Sequence, residues 1–120
     1  MLRSFEYEFR SARDILDIQS VWQALGGYEW RAFDNDQTGI YIVAREAEQN
    51  LRLKLSGEKP DYTLEVHFDV EAKLADTMME KLLREIFQTL LPAIDAVNVR
   101  EPDVPFLSPV QHPFASSSDE

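Results

Sequence analysis

Leu51-Arg52-Leu53-Lys54-Leu55 and Tyr62-Thr63-Leu64-Glu65-Val66-His67-Phe68 are the two runs whose reading decides the fold. In both, apolar and polar residues alternate with a period of two, the pattern of a strand with one buried face. Leu51, Leu53, Leu55, Tyr62, Leu64, Val66 and Phe68 take the inner face. Arg52, Lys54, Thr63, Glu65 and His67 take the outer one. The connection Gly57-Glu58-Lys59-Pro60-Asp61 is made of turn formers, so the runs read as a hairpin.

Upstream, Tyr28–Phe33 and Ile40–Arg45 flank the polar loop Asp34-Asn35-Asp36-Gln37-Thr38-Gly39 and read as another hairpin. Ile40-Tyr41-Ile42-Val43 is apolar on both faces, which predicts a strand with neighbours on both sides. Ahead of it, Ile15, Ile18, Trp22 and Leu25 recur at helical spacing, and Gly26-Gly27 supplies a helix terminus. Ser11, three residues before Asp14, suggests a capping box at the entry. The first ten residues alternate again, with Phe5, Tyr7 and Phe9 opposite Ser4, Glu6 and Glu8.

Downstream of the central hairpin a long amphipathic helix is predicted, with Asp69 as its cap. Ala75, Met78, Met79, Leu82, Leu83, Ile86 and Leu90 form its apolar stripe, and Pro92 is expected to stop it near Leu91. Met78, Met79 and Phe87 read as core rather than as an adaptable groove. Residues Ala93–Val99 suggest one more strand. From Glu101 the character changes: Pro102, Pro105, Pro109 and Pro113 recur and Ser116-Ser117-Ser118-Asp119-Glu120 follows. This acidic stretch reads as a tail, with Phe106, Leu107, Val110 and Phe114 available to dock it.

The expected class is therefore α+β: a mostly antiparallel sheet in the order β-α-β-β-β-β-α-β, with two amphipathic helices on one face. Residues 1–100 form the domain and residues 101–120 the proline-rich tail. The other face of the sheet is left open to solvent or to a partner.

Twelve basic residues stand against 22 acidic ones, a net charge of −10 in 120 residues. Such a surface repels phosphate backbones and anionic membranes and draws in basic proteins. Nucleic acid and membrane are accordingly not expected as partners. Zero cysteines remove disulfides, thiol catalysis and thiolate metal sites, and fit a reducing, cytoplasmic setting. No cofactor is implied.

Motifs for chemistry are sparse. Asp34-x-Asp36-x-Thr38-Gly39 resembles the opening of an EF-hand calcium loop, but its twelfth position is Arg45 where a bidentate glutamate belongs. A polar turn is the expectation there. Glu65, His67 and Asp69 alternate at a strand end and are weak metal candidates, read more simply as a solvated strand face. His112 sits in the tail, away from a rigid scaffold. No G-x-S-x-G elbow and no glycine-rich phosphate loop occur, so the residues lean away from an enzyme. In Tyr28–Phe33, alternation sets Tyr28 and Trp30 against Arg31 and Phe33, so one aromatic set faces outward, and Trp30 is a candidate anchor. The residues expected to touch a basic protein partner are Glu6, Glu8, Glu29, Trp30, Asp34, Asp36, Glu46 and Glu48. The implied function is a small acidic protein-binding domain, comparable in size and charge to inhibitors, immunity proteins and secretion chaperones. A pocket between sheet and helices for a small molecule or metal, or a homodimer through the sheet, are the alternatives.

Overall fold

The computed structural model describes residues 1–37, 39–47 and 50–101. The expectations for Thr38, Glu48 and the segment from Pro102 to Glu120 lie outside those residues. Along the chain run β1 (Leu2–Arg10), α1 (Ile15–Leu25), β2 (Trp30–Asn35), β3 (Gly39–Glu46), β4 (Leu51–Glu58) and β5 (Asp61–Asp69). Then follow α2 (Ala72–Glu85), a π-helical segment (Ile86–Leu90), α3 (Leu91–Ala93) and β6 (Val97–Arg100). The architecture is the expected α+β one. Six antiparallel strands form one sheet of order β2-β3-β4-β5-β1-β6.

Register turns the alternating pattern into a continuous inner surface. Phe5 lies opposite Val66, Val66 opposite Leu53, Leu53 opposite Ala44 and Ala44 opposite Trp30, so one row crosses five strands. This face packs against Ile18 and Trp22 of α1 and against the predicted stripe of α2 in one buried cluster. All seven stripe residues are buried. Phe87 is only half-buried, and its ring meets Tyr7 edge-on with centroids 5.0 Å apart. Burial of this kind is the main source of the fold's stability. Gly57 fixes the central hairpin: its φ is +119°, and a Cβ there would come 2.4 Å from the Asp61 carbonyl oxygen.

Four local expectations change. Asp14, not Ser11, caps α1, its Oδ1 accepting from the Asp17 amide at 2.9 Å. Ser11 is buried, and its hydroxyl donates to the Ile94 carbonyl at 2.8 Å, stitching the end of β1 to the end of the helical run. Asp69 does not cap α2, because it is the last residue of β5 and holds the N-terminal ammonium at 3.0 Å. Glu71 precedes α2 without a side-chain cap bond.

Pro92 does not end the helical run, which continues to Ala93. The π segment makes this possible: the Leu91 amide donates to Ile86 in a widened turn, placing Pro92 in a fresh first turn where no amide hydrogen is needed. The Leu90 carbonyl is then taken by the Trp22 indole Nε1 at 2.8 Å. The last strand is confined to Val97–Arg100 and lies beside β1.

Candidate functional site

Among the described residues no helix lies over the opposite face of the sheet. Its side chains are Ser4, Glu6 and Glu8 on β1, Thr63, Glu65 and His67 on β5, Arg52 and Lys54 on β4, then Tyr41, Val43 and Arg45 on β3 and Arg31 and Phe33 on β2. Most are half-buried among one another, as neighbours on a pleated surface are.

The charges on this face are divided by strand. Over β5 and β1, Glu6 lies directly opposite Glu65, with Glu8 two residues along on the same side. The Glu6 carboxyl is pushed above its ordinary value of 4.5, first by burial, then by the charges of Glu65 and Glu8, with His67 opposing. Glu8 is held by Arg100 at 2.8 Å. Over β3 and β4 the sign reverses: Arg45 lies directly opposite Arg52, and Lys54 is next along β4 on the same face. Among the described residues no carboxylate reaches ion-pair distance of Arg45, Arg52 or Lys54. The Arg52 Nε is buried and finds no hydrogen-bond partner among the described residues. Like charges set opposite each other across a ladder are destabilising.

Beside the cations is an aromatic corner. Phe33 stacks on Tyr41 with centroids 5.5 Å apart, and the Lys54 ammonium sits 4.8 Å from the Tyr41 centroid. Phe33 is 47 % exposed. A recess of 510 Å³ opens here, lined by Glu29, Arg31, Phe33, Val43 and Arg45.

The eight residues expected to touch a partner do not form one surface. Glu6 and Glu8 are on the open face of β1, at the far side of the sheet from β2. Glu29 is exposed and 3.6 Å from Arg31. Asp34 and Asp36 are exposed at the end of β2 and in the turn after it, with Asp34 on the helix side by alternation. Glu46 ends β3 on that same side and adds a little to the upward shift of the Tyr28 phenol, which comes first from burial and then from its hydrogen bond to Glu85. Glu48 lies outside the described residues.

Trp30 is a correction. It is 3 % exposed and belongs to the core, because its parity matches Ala44 and Leu53 on the helix-facing side. The small Ala44 opposite leaves room for the indole, which packs 4.9 Å from the Trp22 ring. Two glutamines of α1 hold its backbone: Gln23 Oε1 accepts from the Trp30 amide at 2.8 Å, and Gln19 Nε2 donates to its carbonyl at 3.0 Å. The outward aromatic set is that of Phe33.

The weak metal trio separates. His67 Nδ1 is 2.8 Å from the Ser4 hydroxyl and its Nε2 is 3.5 Å from Glu65, while Asp69 holds the N-terminus. Among the described residues no three His, Asp or Glu side chains gather as metal ligands, and no helix is long and apolar enough to cross a membrane.

The residues that sequence reasoning passed over are Glu65, as a partner of Glu6, and the pair Arg45–Arg52. Their signal was present, since all four fall on outward positions, but only register shows which outward residues stand opposite. No protein-family model matches the chain, and no curated protein is found to be similar to it.

Proposed function

We propose that the chain is a non-enzymatic protein-binding domain, of the inhibitor or chaperone kind, that receives a basic segment of its partner over β5 and β1. The observation carrying this reading is the juxtaposition of Glu6 and Glu65, with Glu8 beside them, on a face that no helix among the described residues covers. Folding gains nothing from that pairing, and a Lys or Arg from a partner relieves it. The net charge of −10 supplies long-range steering of a basic partner, and the absence of cysteine suits an intracellular setting.

The test separates a site from general attraction. A short fluorescent peptide rich in Lys and Arg is titrated into the wild-type chain, into E6Q/E65Q and into D34N/D36N, all by anisotropy. The two variants lose the same charge. The proposal expects about tenfold weaker binding for E6Q/E65Q and a much smaller change for D34N/D36N. Equal loss from both variants overturns it, because the peptide would then be reading net charge alone.

A further inference from the structure

The acidic pair Glu6–Glu65 and the basic pair Arg45–Arg52 sit symmetrically in the strand order of the sheet. The sheet order β2-β3-β4-β5-β1-β6 has its midline between β4 and β5. Arg45 and Arg52 occupy the two strands on one side of that line, and Glu65 and Glu6 the two on the other. A two-fold axis lying between two facing sheets, parallel to the strands and over this midline, sets β4 of one copy over β5 of the other. It also sets β3 over β1. This axis keeps levels along the strands, so Lys54 of one copy lies over Glu65 of the other, and each basic pair lies over Ser4 and His67, two residues along the same strands from the acidic pair.

We infer that the open face docks on the same face of a second copy of this chain, with Lys54 of each copy over Glu65 of the other and with Arg45 and Arg52 reaching along the strands to the other's Glu6 and Glu65. The basic and acidic rows are offset by two residues along the strands, a step of about 7 Å that long arginine side chains cross. Lys54 and Glu65, neighbours within one copy, meet their counterparts at the same level and close the middle of the interface. Such an arrangement is isologous and closes on itself, so it stops at two copies. Aligned packing of two sheets is a standard solution for a pair of twisted sheets.

The size is sufficient. The strands are four to nine residues long and, paired as above at about 4.8 Å spacing and about 3.3 Å per residue, overlap over a face of about 600 Å². Two such faces bury about 1,200 Å², the lower end of the range for specific interfaces. Phe33 and Tyr41, at the rim over β2 and β3, come opposite β6 and β1 and add apolar and cation–π contact with Arg100. The net charge of −10 opposes association when salt is low. At about 0.15 M salt that repulsion is screened beyond about 8 Å, while close pairs across the interface persist.

This inference shares the open face with the proposed function but does not need a basic partner. The experiment uses three full-length chains: wild type, R45E/R52E and E6K/E65K. Sedimentation equilibrium is run at about 0.1 mM chain and about 0.15 M salt, on each alone and on an equal mixture of the two variants. The wild type is expected to be a dimer. Each variant alone is expected to dissociate about 100-fold more readily, since positions 45 and 52 then carry the same sign as positions 6 and 65. The mixture is expected to regain a one-to-one heterodimer, which also shows that both variants are folded. A monomeric wild type overturns the inference, as does a dimer unaffected by either variant, or a mixture that stays monomeric. A monomeric wild type that still binds the basic peptide overturns self-docking alone and leaves the proposed function standing.

Discussion

Glu6→Gln should raise the stability of this protein. The carboxylate stands opposite Glu65 in the β1–β5 ladder, and burial together with that neighbour raises its pKa above the ordinary value. Two unit charges about 5 Å apart in water repel by about 0.8 kcal/mol, and measured cross-strand like-charge pairs fall at about 0.2–1 kcal/mol. Lys54, opposite Glu65 on its other side, offsets part of this, so about 0.5 kcal/mol is expected. For a domain of this size that is an increase of about 2–4 °C in Tm. Glu65→Gln serves as the control: it removes the same charge but also deprives Lys54 of its cross-strand partner, so it should gain nothing or lose slightly. The pH dependence has a definite sign. A carboxyl whose folded pKa is raised favours folding below its unfolded value and loses that contribution as pH rises through the folded one. Wild type and Glu6→Gln should therefore converge as pH falls to the carboxylate range and separate toward neutrality. At about 1 M salt the gain should shrink, because screening then acts within about 3 Å. Thermal melts followed by circular dichroism at pH 4 and 7 read all of this. An equal gain from Glu65→Gln would refute the local argument and assign the effect to net charge.

Two further changes probe the scaffold that presents the face. Trp22→Phe removes the indole donor from the buried Leu90 carbonyl and leaves a small void, so it should cost about 2–4 kcal/mol, read from the urea midpoint; a loss below about 0.5 kcal/mol would mean the carbonyl finds another partner. Gly57→Ala forces a side chain into a φ of +119° and against the Asp61 carbonyl, so it should cost at least about 1–3 kcal/mol in thermal melts, and an unchanged Tm would refute the need for glycine there.

Most of the scaffold was legible because binary patterning and the physics of burial agree in this chain. Alternation in Leu51–Leu55 and Tyr62–Phe68 and the stripe from Ala75 to Leu90 each match one structural period, and all those apolar positions are buried. The misreadings have a common cause: they concern residues whose role is set by something distant in sequence. Ser11 looks like a local cap, but its hydroxyl answers to Ile94, 83 positions away. Asp69 looks like a cap and is claimed by the N-terminal ammonium. Pro92 looks like a stop, yet a π turn stabilised by Trp22 from another helix shifts it into a new first turn. Trp30 stands on a strand of six residues in which all the others are exposed, so its burial is invisible until Ala44 and Trp22 are placed beside it. The candidate acids were chosen for exposure and loop position, and the sheet then distributed them between both faces and two ends.

The charge pattern on the open face calls for a different kind of reasoning from the core. An inner position must be apolar and of suitable volume, so the sequence there is largely dictated by packing. An outer position on a strand has no such demand, and Lys, Glu, Thr or Ser serve the fold about equally. Folding alone, in a chain with 22 acids and 12 bases, favours placing each cation next to a carboxylate. Lys54 opposite Glu65 and Glu8 beside Arg100 follow that rule. Arg45 opposite Arg52 and Glu6 opposite Glu65 break it, with opposite signs and on opposite sides of the sheet's midline. Exchanging the side chains of Arg52 and Glu65 in the same register would set a carboxylate opposite Arg45 and a guanidinium opposite Glu6. Two repulsions would become two attractions, while the favourable pair between Lys54 and Glu65 would become one repulsion, a net gain with the core untouched. The native arrangement forgoes that gain, and the proposed docking would supply the compensation through external charges of the right sign.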